Sequence, residues 1–290
     1  MKHWLGLLGL LLAGIAQAAI SVTDGAGNVV TLPQPARRIV SLAPHATELL
    51  FAAGAGDRVV ATVEYSDHPD AAKKLPRVGG FTGFSLEAVL RQRPDLVVAW
   101  RDGGTPRELE RLRRMGVPVF ISHPLQPGDV ALEIGELGRL SGTEATAVRA
   151  AAQYRQRLAA LQQRYGGRAP VRVFYQLSQT PIFTISGKSY IDALIRICGG
   201  VNVFADLPLP APQVSTASVV AAQPQAILAA DEATLAMWRR WGGVPAVAHA
   251  ALFALPGDAI SIPGPRLVEG AAALCERLDA ARQRLGLTPN

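Results

Sequence analysis

The side chains in this 290-residue sequence that could do metal, redox or phosphate chemistry are five histidines, two cysteines and one Ser-Gly-Lys-Ser run. Beyond the N-terminal His3, the histidines are His45, His68, His123 and His249. No two stand at i and i+4, the spacing that puts two imidazoles on one helix face, and only His68 has an adjacent carboxylate, Asp67. They read as isolated surface or loop histidines, because a metal site needs about four clustered ligands. Ser186-Gly187-Lys188-Ser189 matches the end of a phosphate-binding loop, yet Ile182 stands where that pattern requires its first glycine. A strand-to-helix turn capped by Ser189 accounts for it instead. There is no Gly-x-Ser-x-Gly elbow and no pair of carboxylates in an apolar setting. The sequence therefore offers no argument for catalysis, and the expectation is a binding protein that is not an enzyme.

The aromatic residues say more. They are 6% of the chain, yet Tyr65, Phe81, Phe84, Trp100 and Phe183 all fall in inter-element segments at predicted strand ends. Ligands of α/β sheets sit outside the carboxyl ends of the strands. Tyr65 follows a strand at 59–63, Trp100 follows one at 95–99, and Phe183 lies in the loop opening the second half. Flat side chains from two halves facing one cleft would suit a large, flat, partly apolar ligand. Each could equally be an aromatic at the edge of a core.

The elements that would position these residues repeat. Residues 21–33 read as a hairpin with Gly and Asn at its turn. Then come a strand at 38–42, a helix at 46–53 ending at Gly54, the strand at 59–63, a helix at 85–93 capped by Ser85, and the strand at 95–99. The second half offers a strand at 171–175, a polar loop, a helix at 189–197, a helix at 215–223 and a strand at 225–228. Pro94 and Pro224 are 130 positions apart, and Ile39 and Val171 are 132 apart. Two copies of an α/β unit at a near-constant offset predict two similar lobes with parallel sheets. Between them, 128–165 has no strand-like run. Ala147, Ala150, Ala151, Tyr154, Leu158, Leu161 and Tyr165 recur at three and four over Thr143–Tyr165, before Gly166-Gly167 and Pro170. Such a helix is about 30 Å long, enough to bridge two lobes as a stiff linker. The predicted division is an N-terminal lobe at 19–127, a helical linker at 128–167 and a C-terminal lobe at 168–290.

Composition narrows the class. The chain is 49% hydrophobic and 18% charged, with net charge +6. Its length suits roughly two domains of about 150 residues, each able to bury a core. Basic residues are spread along the chain, densest at Arg37-Arg38 and at Arg111, Arg113 and Arg114, with no basic arm. That excludes nucleic-acid binding as the expectation. Residues 1–18 read as a signal peptide: Lys2 and His3, the apolar run 4–15, then Ala16-Gln17-Ala18 as the cleavage site. The apolar run is shorter than the about twenty residues a bilayer span needs. No cysteine follows the site, so no lipid anchor is expected, and the destination is the periplasm. In that oxidising compartment Cys198 and Cys275 read as one disulfide closing a loop of 77 positions.

At several of these places the sequence resembles a known family. The runs RIVSLAPHATELLFAA (38–53), Tyr65-Ser66-Asp67-His68-Pro69, LEAVLRQRPDLVVAWR (86–101), Ile197-Cys198-Gly199-Gly200, Pro212-Gln213-Val214-Ser215 and Pro265-Arg266 to Cys275 carry the resemblance. They are similar to the periplasmic vitamin B12 (cobalamin)-binding proteins of ABC importers, within the helical-backbone (class III) substrate-binding proteins. The resemblance extends from about residue 37 to 280. It implies two Rossmann-like lobes joined by one long backbone helix, with the ligand cleft between them. It places Tyr65, Trp100 and Phe183 at ligand-contacting positions, with Phe81 where the family has Trp. It makes Asp258, Ala259, Ile260, Ser261 and Ile262 a ligand-contacting loop, and Glu87 a carboxylate that docks on the permease. The sequence departs from the family at Ala211, in place of a cleft Trp, at Ile262, in place of an Arg, and at Ala217, in place of the second docking carboxylate.

The function so implied is capture of cobalamin or a related corrinoid and delivery to an inner-membrane permease with its cytoplasmic ATPase. Cobalamin would be cargo, with no resident cofactor and no metal site, and the receptor is expected to be a monomer. Heme or a ferric siderophore is the alternative cargo within the fold. A heme would draw its axial ligand from Tyr65 or His45.

Overall fold

The computed structural model describes residues 19–80 and 83–287; the expected signal peptide and Phe81 lie outside the described residues. The chain opens with an antiparallel hairpin, β1 (Ile20–Thr23) and β2 (Val29–Leu32). Asp24 organises its turn by accepting from the backbone N–H groups of Ala26 and Asn28. Its other carboxylate oxygen accepts from the Ile121 N–H and pins the hairpin to the first lobe.

The first lobe runs β3 (Ile39–Ser41), α1 (Pro44–Ala52), β4 (Val59–Ala61), the short pair β5 (Gly79–Gly80) and β6 (Gly83–Phe84), α2 (Leu86–Arg91), β7 (Leu96–Trp100), α3 (Pro106–Arg114) and β8 (Val119–Ser122). Its main sheet has the order β4-β3-β7-β8, parallel throughout. β3 and β8 are buried along their whole lengths, as parallel strands covered on both faces must be.

Two helices follow, α4 (Asp129–Ser141) and α5 (Glu144–Tyr165). They cross closely at Gly138, where an added Cβ would stand 2.2 Å from the Ala147 Cβ. α4 packs its Ile134, Leu137 and Leu140 into the first lobe's core, while α5 continues to the second lobe. At 22 residues α5 is about 33 Å long.

The second lobe runs β9 (Val171–Gln179), β10 (Ile182–Thr184), α6 (Tyr190–Ile197), β11 (Gly200–Asn202), α7 (Thr216–Ala221), β12 (Ala226–Ala229), α8 (Glu232–Ala236), α9 (Pro245–Ala248), β13 (Leu252–Ala254), α10 (Gly257–Ser261) and α11 (Leu267–Arg284). β11, β9, β12 and β13 are parallel neighbours in that order. In chain order both lobes therefore read second, first, third, fourth strand. The repeat reaches single residues. Ser85 caps α2 by accepting from the Ala88 N–H, and Ser215, 130 positions later, caps α7 from the Ser218 N–H. Arg93 and Gln223 both take positive φ, 49° and 46°, directly before Pro94 and Pro224.

Three sequence expectations change. The strand predicted at 171–175 continues to Gln179 and turns back as β10, where a polar loop was expected. Gln176 and Thr184 extend it: the Thr184 hydroxyl donates to the Tyr175 carbonyl inside the hairpin. Phe183 consequently lies on a strand. The segment 258–262 is mostly the short helix α10 rather than a loop. β8, β11 and β13 are strands that the periodicity left unassigned.

Cys198, at the end of α6, and Cys275, within α11, form the expected disulfide with Cα atoms 4.7 Å apart. One buried apolar cluster spans β1 to α11 and passes through α5 at Ala147, Ala151, Tyr154 and Tyr165. The two lobes thus share a core, and the linker is part of it. Among the described residues no helix is long and apolar enough to cross a membrane.

Candidate functional site

A cavity of about 580 Å³ opens where the carboxyl ends of the two sheets face each other. The size falls within the usual range of about 300–1,000 Å³ for small-molecule sites. Trp100, the last residue of β7, forms part of the first-lobe wall together with His123, Pro124 and Leu125 beyond the end of β8. Trp100 and Ser122 are ladder partners, which fixes the two strand ends side by side. Leu177, Ile185, Tyr190, Pro210 and Ala211 face them from the second lobe, with Ser261 and Pro263 closing one end.

Three polar groups of the second wall are already engaged. Tyr190 donates its hydroxyl to the Ser261 carbonyl at 2.9 Å, and burial raises its pKa above the ordinary range. Lys188 donates to the Pro208 carbonyl at 2.7 Å, and Ser189 caps α6 by accepting from the Ile191 N–H. That cap is the strand-to-helix turn expected of the Ser-Gly-Lys-Ser run. What remains toward the cavity is mostly apolar surface.

Behind Trp100 lies a buried polar chain. The His45 ring meets the Trp100 ring edge-on, with centroids 5.8 Å apart. His45 Nε2 is 2.8 Å from the Ser122 hydroxyl, and that hydroxyl in turn donates to Glu133. The second Glu133 oxygen accepts from the His123 N–H at 2.8 Å. Burial pushes the His45 imidazole down to about 3, so it is neutral, and pushes the Glu133 carboxyl up to about 7. Serine stands between histidine and acid here and is fully buried, so the chain supports a wall and presents no nucleophile to the cavity.

The expected site residues distribute unevenly. Trp100 and Ser261 line the cavity, as does the departure position Ala211. Tyr65 is 72% exposed, in the loop after β4, with φ of 64°. Arg77 holds that loop by donating to the carbonyls of Val63 and Ser66. Phe183 is half-buried on β10, bridged to Gln213. Ala259 and Ile260 are core residues pressed against Gly270, where a Cβ would stand 2.8 Å from the Ala259 carbonyl oxygen. Asp258 lies in the first turn of α10, and Ile262, just past its end, does not line the cavity.

Glu87 sits in the first turn of α2 with its side chain 81% exposed, 3.6 Å from Arg91. Ala217, its repeat counterpart, is exposed in the first turn of α7.

Among the histidines, His68 and His249 are loop and surface residues as expected. His45 is a correction. It is buried in α1 with Nε2 against Ser122 and is not among the residues that line the cavity, so it presents no axial ligand there. His123 is the histidine that lines the cleft. Like Trp100, which ends β7, it stands at the carboxyl end of a buried strand, and the apolar residues Val119–Ile121 were the available signal.

Residues 39–259 match the family described as periplasmic binding protein, and the chain belongs to that family. A vitamin B12-binding protein of Vibrio cholerae serotype O1 is 39% identical over 260 residues, 89% of this chain and 94% of that relative. One from Yersinia pestis is 37% identical over 257 residues, 87% and 90% of the two chains. The crystal structure of the periplasmic vitamin B12 binding protein BtuF of Vibrio cholerae superposes with TM-score 0.80 at 40% identity, covering 86% of this chain and 99% of that one. The periplasmic heme-binding protein RhuT from Roseiflexus sp. RS-1 superposes with TM-score 0.73 at 27% identity, covering 84% and 98%.

Proposed function

We propose that this chain is the periplasmic receptor of an ABC importer, and that it captures cobalamin or a related corrinoid in the cleft between its lobes. The observation that carries the reading is the apolar cleft walled by Trp100, in a chain 39% identical over 260 residues to a vitamin B12-binding protein. Capture needs no bond to be made or broken. It needs an apolar face for a large ring system and walls that keep their spacing. The shared core, the α5 bridge and the His45–Ser122–Glu133 chain behind Trp100 supply that stiffness. A preformed cleft loses little conformational entropy on binding.

Tyr65 and Phe183 stand outside the cavity itself and would meet the parts of a corrinoid that project beyond it, with Phe81 as the third aromatic that the family resemblance gives to the ligand. The signal peptide, cleaved after Ala18, would deliver the receptor to the periplasm as a monomer. Glu87 would then contact the permease, whose cytoplasmic ATPase drives uptake. The side chain is free for that role, because its exposed pair with Arg91 contributes little to stability.

Mixing the purified protein separately with cyanocobalamin, hemin and a ferric siderophore, followed by desalting and an absorption spectrum, tests the cargo. Retention of cyanocobalamin alone is the expected result; retention of hemin alone would transfer the cleft to heme. For docking, Glu87→Ala is expected to weaken capture of the receptor by its permease in a pull-down. Unchanged capture would return Glu87 to a role at the helix N-terminus.

A further inference from the structure

The proposed cargo carries a transition metal, and among the described residues lining the cleft one side chain can offer it an imidazole nitrogen. His123 is the only imidazole among those lining residues, and a ring nitrogen without a proton carries a lone pair that a metal can take. Lys188 is an ammonium held on the Pro208 carbonyl, the indole nitrogen of Trp100 is a donor only, and both cysteines are consumed in the disulfide.

His123 is also a fixed group. It follows β8 directly, and its N–H is bound to Glu133. Gly25 packs so closely that a Cβ there would stand 2.6 Å from the His123 nitrogen. The imidazole is 15% exposed, and its Nε2 lies 3.6 Å from a carboxylate oxygen of Asp102. Its Nδ1 has no hydrogen-bond partner among the described residues. At 3.6 Å the carboxylate stands beside this nitrogen without a hydrogen bond, and a small closing movement brings the pair to the carboxylate–histidine arrangement in which the second ring nitrogen ligates a metal.

We infer that His123, with Asp102 beside its other ring nitrogen, takes an axial position on the metal of a bound corrinoid whose ligand at that position can exchange. The inference rests on the corrinoid reading of the cleft and specifies which form of cargo is held most firmly. The step is ligand exchange on Co(III). The lone pair of the free imidazole nitrogen forms a Co–N bond, the Co–O bond to a coordinated water breaks, and the water leaves with its own electron pair. Cobalt keeps its oxidation state. A cyanide at the same position is inert to this exchange, so the site distinguishes aqua from cyano forms.

The test uses the full mature protein with aquacobalamin and cyanocobalamin as probes. Two readouts apply: the visible absorption bands of the bound corrinoid, and the ratio of the two affinities by equilibrium dialysis. In the parent protein the aquacobalamin bands are expected to shift on binding, with an affinity ratio of about tenfold or more in favour of the aqua form. In His123→Ala and His123→Gln the shift should vanish and the ratio should fall to near unity. Asp102→Asn should lie between. Aquacobalamin bound by the parent protein with unshifted bands would overturn the inference while leaving corrinoid capture intact, as would a shift that survives in both His123 variants. A parent protein that retains neither probe would overturn the corrinoid reading, and the ligation with it.

Discussion

Glu48 on α1 and Arg266 at the start of α11 form an ion pair across the two lobes, with Arg266 Nη2 2.8 Å from Glu48 Oε1 and its Nε 3.2 Å from both carboxylate oxygens. The Glu48 side chain is 6% exposed and that of Arg266 is 23% exposed. The carboxylate holds the Arg266 guanidinium above its already high pKa range. Gly264, beside the cleft residue Pro263, is packed against Glu48, so the pair stands at the edge of the cavity and links its walls.

The two halves of this pair should not be equivalent on removal. Arg266→Ala strands a buried carboxylate, which costs about 3 kcal/mol or more. Glu48→Ala leaves a guanidinium that still reaches water and should cost about half as much. Urea unfolding of both single variants and the double variant reads the difference. Equal losses would contradict this asymmetry, and a double variant equal to the sum of the singles would mean the pair does not act as a unit.

The disulfide gives a second expectation. It joins α6 to α11 across 77 positions, and loop closure of that length is worth about 4.5 kcal/mol in the chain-entropy model. Denatured, unreduced protein from an oxidising compartment should show no titratable thiol. Cys198→Ser with Cys275→Ser should lower the denaturation midpoint substantially while the parallel sheets remain. Two reactive thiols in the parent protein would contradict the pairing.

Much of this fold was legible because buried parallel strands and capped helices leave local signatures. Ser85 and Ser215, Pro94 and Pro224, and the three-and-four spacing from Ala147 to Tyr165 each announce their element within a few residues. The pattern fails where the reason for an element is a distant partner. β10 exists because Phe183 and Thr184 pair with Ser178 and Gln176, and β11 because Gly200 to Asn202 pair with the start of β9. Three residues are too few for a period. The site divides the same way. Trp100 is marked by its place after a hydrophobic strand, whereas His45 looks like any loop histidine until α1 buries it against Ser122, a residue 77 positions away. Glu48 and Arg266, 218 positions apart, carry no sign of each other in the chain.

The cleft expectation follows from exposure. Trp100 is 37% exposed at the cavity, so Trp100→Ala should weaken cobalamin binding by about 1–3 kcal/mol, as the loss of a large aromatic contact does. Tyr65, 72% exposed and outside the cavity, should cost less when changed to Ala. Isothermal titration with cyanocobalamin measures both. Parent-like affinity in Trp100→Ala would place the ligand elsewhere.

The last expectation concerns pH and comes from the buried chain behind Trp100. His45 has a pKa lowered to about 3, against 6.5 in an unfolded chain. The unfolded state therefore binds the extra proton, and the stability linked to His45 is complete above pH 6.5 and lost as pH falls toward 3. Glu133 is the reverse case, raised from 4.5 to about 7. The folded state binds its proton, so the stability linked to Glu133 is complete below pH 4.5 and lost as pH rises through 7. Between pH 4.5 and 6.5 the two slopes oppose one another, each approaching about 1.4 kcal/mol per pH unit. The pair should leave the parent protein with little net pH dependence from this site in that window. Glu133→Gln keeps a hydrogen-bonding side chain against Ser122 and removes one titration. It should uncover the His45 slope, so that unfolding free energy from urea melts falls as pH is lowered from 6.5 to 4.5. His45→Gln should uncover the opposite slope, with stability falling as pH rises from 4.5 to 7. Matching pH profiles for the parent and both variants would sink the linkage. Opposite tilts would show that the polar support of Trp100 is balanced by two compensating titrations.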